Sequence, residues 1–201
     1  MKIDVTKPTT ALLVIDMQEA FFEQPSLASQ KERVVEHCNK LIRHFNKQAM
    51  PVFLVHTEHT LTHETWTLNM LDDKQGYLFA GDEHTRVVAG LLVGKAKHIV
   101  KIRDSAFFKT NLHHQLESLG VRHVVICGVS TQNCILQTAV DAYSYNFRVI
   151  VASDAIATHE PTLHEPALDL LERDYRQQII DTDTIIASLK SLTPYIVPSK
   201  T

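Results

Sequence analysis

Short runs of consecutive apolar, largely β-branched residues recur along this chain, and segments of helical periodicity separate them. That alternation constrains the fold more than any other feature. The runs are Ala11 to Ile15, Pro51 to His56, His98 to Ile102, Val121 to Cys127, Arg148 to Ala152 and the short Gln178 to Ile180. Most are apolar throughout, as burial between two helix layers requires, so they read as strands of a parallel sheet. Between them, Val34, Val35, Cys38, Leu41, Ile42 and Phe45 fall on one face of a helix over Lys31 to Gln48. Further helices are predicted over Leu112 to Leu119, Thr131 to Tyr145, Pro166 to Asp174 and Thr184 to Leu192. Strand–helix–strand units connect by right-handed crossovers, which gives one α/β domain over residues 1–201 with helices on both faces of the sheet.

One stretch breaks the rhythm. From His56 to about Gly81 the periodicity is weak and polar residues dominate. Excursions of this kind are usually binding loops, lids or subunit contacts. An irregular helix over Glu64 to Leu71 is the alternative. The single Trp66 lies here, where an aromatic ring would stack on a substrate or fill a subunit interface.

Composition removes several function classes. A formal charge of −3 offers no basic surface for nucleic acid or an acidic membrane. No stretch approaches the roughly 20 apolar residues of a membrane span, and Met1 to Pro8 has no apolar leader. Three cysteines (Cys38, Cys127, Cys134) argue against a disulfide framework and for a reducing compartment, so a cytoplasmic protein is expected.

Parallel sheets bind ligands beyond the carboxyl ends of their strands. Asp16 ends the first run, Lys101 lies near the end of the third, and Cys134 opens the helix after the fourth. A thiol near a helix N-terminus feels the positive end of the macrodipole, which favours the reactive thiolate. A small buried core residue is the other reading of Cys134, and Cys38 and Cys127 are read that way. Asp16 can accept the thiol proton and return it to a leaving amine, Lys101 can hold both anions, and backbone N–H groups before Cys134 can form an oxyanion hole.

These residues sit in segments that resemble the isochorismatase-like cysteine hydrolases, a superfamily that includes nicotinamidases and N-carbamoyl amidases. The segments are Leu12 to Phe21, Lys101 to Phe107, Gly128 to Ala142 and Val149 to Ala155, in the family order. The resemblance implies strand order 3-2-1-4-5-6, a homo-oligomer, and Asp16, Lys101 and Cys134 as the catalytic triad. It also implies a cis peptide at Val129–Ser130, with the Ser130 and Cys134 N–H groups as oxyanion donors. Gln18, Phe21 and Phe107, in the matched segments, are expected with Trp66 to contact the substrate. Nicotinamidases carry a metal-binding Asp-x-His near the end of the second strand, where this chain places Thr57 ahead of His59. Glu58, His59, His63 and His84 could supply ligands if the excursion folds back. The expectation is nonetheless no metal and no organic cofactor. The predicted function is hydrolysis of a small amide, ureido or related C–N bond through a thioester on Cys134. The alternatives are a vinyl-ether or ester hydrolase on the same scaffold, and a non-enzymatic fold relative.

Overall fold

A computed structural model describes residues 9–191. The leader reading of Met1 to Pro8 and the Leu192 end of the last helix lie outside these residues. Six parallel strands form one sheet in the order β3-β2-β1-β4-β5-β6: β1 Thr10–Ile15, β2 Val52–Thr57, β3 Lys97–Lys101, β4 His123–Val129, β5 Arg148–Ala157 and β6 Gln178–Ile180. This is the predicted order. The helices are α1 Pro25–Ala28, α2 Lys31–Lys47, α3 Leu68–Asp73, α4 Leu112–Ser118, α5 Leu136–Ser144, α6 His164–Arg173 and α7 Thr182–Ser191. No helix among the described residues is long and apolar enough to cross a membrane.

Side chains alternate across a strand, so β1 serves two cores. Ala11, Leu13 and Ile15 pack with Leu112 and Leu116 of α4, Ala139 of α5 and Leu171 of α6. Leu12 and Val14 pack on the other face with Val34, Cys38 and Leu41 of α2 and Ile185 of α7. Double-sided burial explains the unbroken apolar runs of β1 and β4. It fails at the edge strand β3, where Lys97, His98 and Val100 are exposed.

Two elements differ from the sequence reading. β5 does not stop before Ser153 and Asp154 but continues to Ala157. It shifts register against β4 near Gly128, and Asp154 Oδ1 accepts from Thr182 N at 2.9 Å at the start of α7. A polar residue whose side chain finds a partner elsewhere in the fold can lie inside a strand. The helix expected from Thr131 opens with one wide turn, Thr131–Ile135, closed by Ile135 N donating to Ser130 O, before α5 begins.

Candidate active site

Strand order reverses between β1 and β4, and the carboxyl ends of β1, β2, β3 and β4 meet there. Gly128 makes the meeting possible. Its φ is +115°, and a Cβ at this position would lie 2.0 Å from Ile15 O, so only glycine lets β4 approach the end of β1 so closely. The next residues form a cis peptide, Val129–Ser130, as the resemblance implied.

Asp16 follows β1 with φ +51°, a left-handed backbone that Asp tolerates better than most residues, and it is fully buried. Lys101 Nζ lies 2.7 Å from Asp16 Oδ2 and 3.4 Å from Cys134 Sγ. The same ammonium donates to Thr57 Oγ1 at 2.7 Å, and Thr57 Oγ1 donates to Asp16 Oδ1 at 2.9 Å. Burial works against the charge on Lys101, but the Asp16 carboxylate and the Cys134 sulfur outweigh it and raise the lysine above its ordinary value.

The sulfur behaves otherwise than the macrodipole argument suggested. Burial pushes the Cys134 thiol well above the usual cysteine range, and Asp16 pushes the same way, while Lys101 pulls down. Burial thus favours the thiol form of Cys134, and Sγ donates to Asp104 Oδ1 at 3.7 Å. Helix-terminus stabilisation is worth about 0.3–1 kcal/mol in exposed settings, too little to offset desolvation of a group this buried.

A cavity of about 270 Å³ opens over this cluster, lined by Phe21, His59, Tyr77, Ser130, Cys134 and His159 among others. Phe21 thus lies where a substrate would. The other three residues expected to contact it do not line the cavity. Gln18 is fully buried and its amide is spent on backbone: Nε2 donates to Thr57 O and Thr85 O, and Oε1 accepts from Thr57 N. It fixes the end of β2 to the loop at Thr85. Trp66 donates from Nε1 to Thr60 O and packs against His63 and Phe79, filling the excursion's own core. Phe107 stacks on Phe147 and Tyr145 within the main core. Gln18 and Phe107 belong to matched segments and Trp66 to the excursion, but the packing of all three keeps their side chains out of the cavity lining.

The supposed metal donors disperse. His59 Nδ1 bonds Thr65 O at 2.9 Å, Glu58 pairs with His56, His63 stacks on Trp66, and His84 pairs with Glu23. Thr57, at the place of the expected acidic ligand, is committed to Asp16 and Lys101. This donor set does not fit the nicotinamidase-type metal. Among the described residues the only group of three close donors is His113, His114 and Glu117 on α4.

Two residues at the site have no role in the sequence reading, and a third, Thr57, enters it only as the replacement for an acidic metal ligand, one residue beyond the predicted end of β2. Asp104 lies inside a matched segment, and its Oδ1 is 3.7 Å from Cys134 Sγ. His159 follows β5, and its Nδ1 is 3.0 Å from Ser130 Oγ. The rule that sites lie beyond strand ends would have found Thr57 and His159 had the ends of β2 and β5 been placed correctly.

The chain resembles several known proteins along most of its length. It is 36% identical over 164 residues to an Arabidopsis thaliana protein named "probable inactive nicotinamidase", covering 77% of this chain and 84% of that one. It is 30% identical over 194 residues to nicotinamidase 3 of Arabidopsis thaliana, covering 94% and 92%. The crystal structure of N-carbamoylsarcosine amidase from Thermoplasma acidophilum superposes with a TM-score of 0.74 at 26% identity, covering 88% of this chain and 98% of that one. With residues 10–184 matching the family model described as the Isochorismatase domain, the chain belongs to the isochorismatase family of hydrolases.

Proposed function

We propose that this protein hydrolyses the C–N bond of a small amide or ureido compound through a thioester on Cys134. One observation carries the reading: a buried lysine bridges a buried carboxylate and a thiol, 2.7 Å from the first and 3.4 Å from the second, at the floor of a cavity. As Sγ bonds the substrate carbonyl carbon, the thiol proton passes to Asp16, and the carbonyl electron pair moves to oxygen. The Ser130 and Cys134 N–H groups stabilise that oxyanion. Collapse breaks the C–N bond, and the leaving nitrogen takes the proton from Asp16. Water then attacks the thioester and gives a proton to Asp16. The C–S bond breaks, and the thiol is restored. Lys101 keeps its charge throughout and orients Asp16. Relatives named as a nicotinamidase and a carbamoylsarcosine amidase support C–N chemistry.

Cys134→Ala should abolish ammonia release from a panel of small amides, by about 10³-fold or more, with the far-ultraviolet circular dichroism unchanged. Turnover within about tenfold of wild type would overturn the covalent mechanism. Because no step is routed through a metal, activity should survive exhaustive EDTA treatment; loss restored by one added divalent ion would count against the reading. The relative named inactive favours a second reading, a non-enzymatic family member. That reading requires that no amide, ester or enol ether be turned over.

A further inference from the structure

The charges around Cys134 are asymmetric. On one side Asp16 and Lys101 neutralise each other. On the other stands a second carboxylate: Asp104 lines the cavity with Oδ1 3.7 Å from Cys134 Sγ, while Oδ2 accepts from Gln137 Nε2 at 2.8 Å. Among the described residues Asp104 makes no ion pair. The adjacent Arg103 also lines the cavity, but its guanidinium is held by the carbonyls of Thr65, Ile102 and Trp66 at 2.7, 2.6 and 3.0 Å and makes no ion pair with Asp104. Nor is Asp104 a stray surface charge. The residues after it are locked to α5 by Ala106 N donating to Thr138 Oγ1 at 3.0 Å and by Ser105 Oγ donating to Asp141 Oδ2 at 2.5 Å.

An anion held here opposes the chemistry. It disfavours the thiolate and repels the oxyanion that follows. A ligand that brings positive charge to the spot removes both penalties. Part of the cavity is suited to one. Phe21 and Tyr77 line it, and ring faces attract ammonium groups. Burial disfavours the charged form of His59, whose Nδ1 is engaged by Thr65 O.

We propose that Asp104 is the specificity-determining residue of this site and that the substrate is an amide bearing an ammonium group beside the scissile carbonyl, paired with the Asp104 carboxylate. This rests on Cys134 acting as the amidase nucleophile, so the test separates the two claims. The first measurement needs no turnover. Cys134 is alkylated with 2-bromoethylammonium, iodoacetamide and iodoacetate, and each rate is divided by that of free cysteine in the same buffer. A Cys134→Ser protein corrects for Cys38 and Cys127. Thiolate fraction cancels in the ratios between reagents. Wild type should favour the cationic reagent over the anionic one by about tenfold or more, the size expected of one charge-assisted contact. Asp104→Asn keeps an acceptor for Gln137 and should bring the ratio within about twofold of unity, while Asp104→Glu should restore the preference. A wild type without preference, or a preference that survives in Asp104→Asn, overturns the proposal.

The second measurement compares kcat/KM for glycinamide, propionamide and malonamate. Glycinamide should lead, through both KM and kcat, and lose its lead in Asp104→Asn. Hydrolysis with no charge preference overturns the ammonium site and leaves the amidase reading standing. A cation preference in alkylation with no amide hydrolysed leaves the site standing and overturns the amidase reading.

Discussion

Removal of the Asp16 carboxylate should push Cys134 in two opposite directions. Asp16 helps hold the thiol above its ordinary value of 9.0, second only to burial. A thiol raised in this way is protonated below its folded pKa, so wild-type alkylation should be slow at neutral pH and keep climbing beyond pH 9.0. In Asp16→Asn, Lys101 loses its carboxylate and can pair with the thiolate, so the alkylation profile should move to lower pH. Turnover should nonetheless fall by about 10³-fold, because nothing accepts and returns the proton. An unshifted profile would mean that Asp16 does not act on the sulfur. The proposed mechanism makes the residues one unit, so Asp16→Asn with Cys134→Ala should be scarcely worse than Cys134→Ala alone; losses that multiply would separate the two groups. At this scale the sequence points to three residues that the fold does bring together, but not to the directions of their neighbours. Asp16, Lys101 and Cys134 were legible because strand ends in a parallel sheet must converge. The directions of Gln18, Trp66 and Phe107 were not, because they depend on which partner each side chain finds across the fold. Nor was the protonation of Cys134, which burial decides.

Elements place the cluster, and Gly128 is where one element meets another. Gly128→Ala would bring a Cβ against the backbone of β1 and hold a non-glycine residue at φ +115°. The cost should be at least about 3 kcal/mol, since both backbone strain and overpacking contribute. Gly81→Ala is the control. Its φ is +85°, but nothing lies within 4 Å of a Cβ there, so only conformational strain of about 1 kcal/mol applies. Urea denaturation should separate the two variants clearly, and equal midpoints would refute the steric account. The central strands were readable because their burial is two-sided and their runs unbroken. The continuation of β5 through Ser153 and Asp154 was not, because the partner of Asp154 is Thr182, far along the chain. The wide turn ahead of α5 was equally hidden. Helical periodicity reports a face, and one extra residue in the first turn leaves that face almost unchanged.

For the molecule as a whole, the question is how a polar excursion comes to wall a site built on a sheet. Thr67, Tyr77 and Leu78 of this segment line the cavity, yet few of its residues reach either main core. Its attachment is polar. The Gln18 amide ties Thr57 to Thr85, and the Arg103 side chain grips the carbonyls of Thr65 and Trp66. A hydrogen bond from a charged donor contributes about 1.5–3 kcal/mol, so Arg103 alone supplies much of what keeps the wall upright. In Arg103→Ala the excursion should unfold before the sheet does. Trp66 is the only tryptophan and is buried within the excursion, so its fluorescence reports that segment, while far-ultraviolet circular dichroism reports the sheet and helices. In wild type the two urea transitions should coincide. In Arg103→Ala the fluorescence transition should move to lower urea, ahead of the other, and KM should rise more than kcat falls, because binding surface is lost while Asp16, Lys101 and Cys134 stay in place. Coincident transitions in the variant would show that the excursion is held by its own packing around Trp66 and not by the arginine clamp.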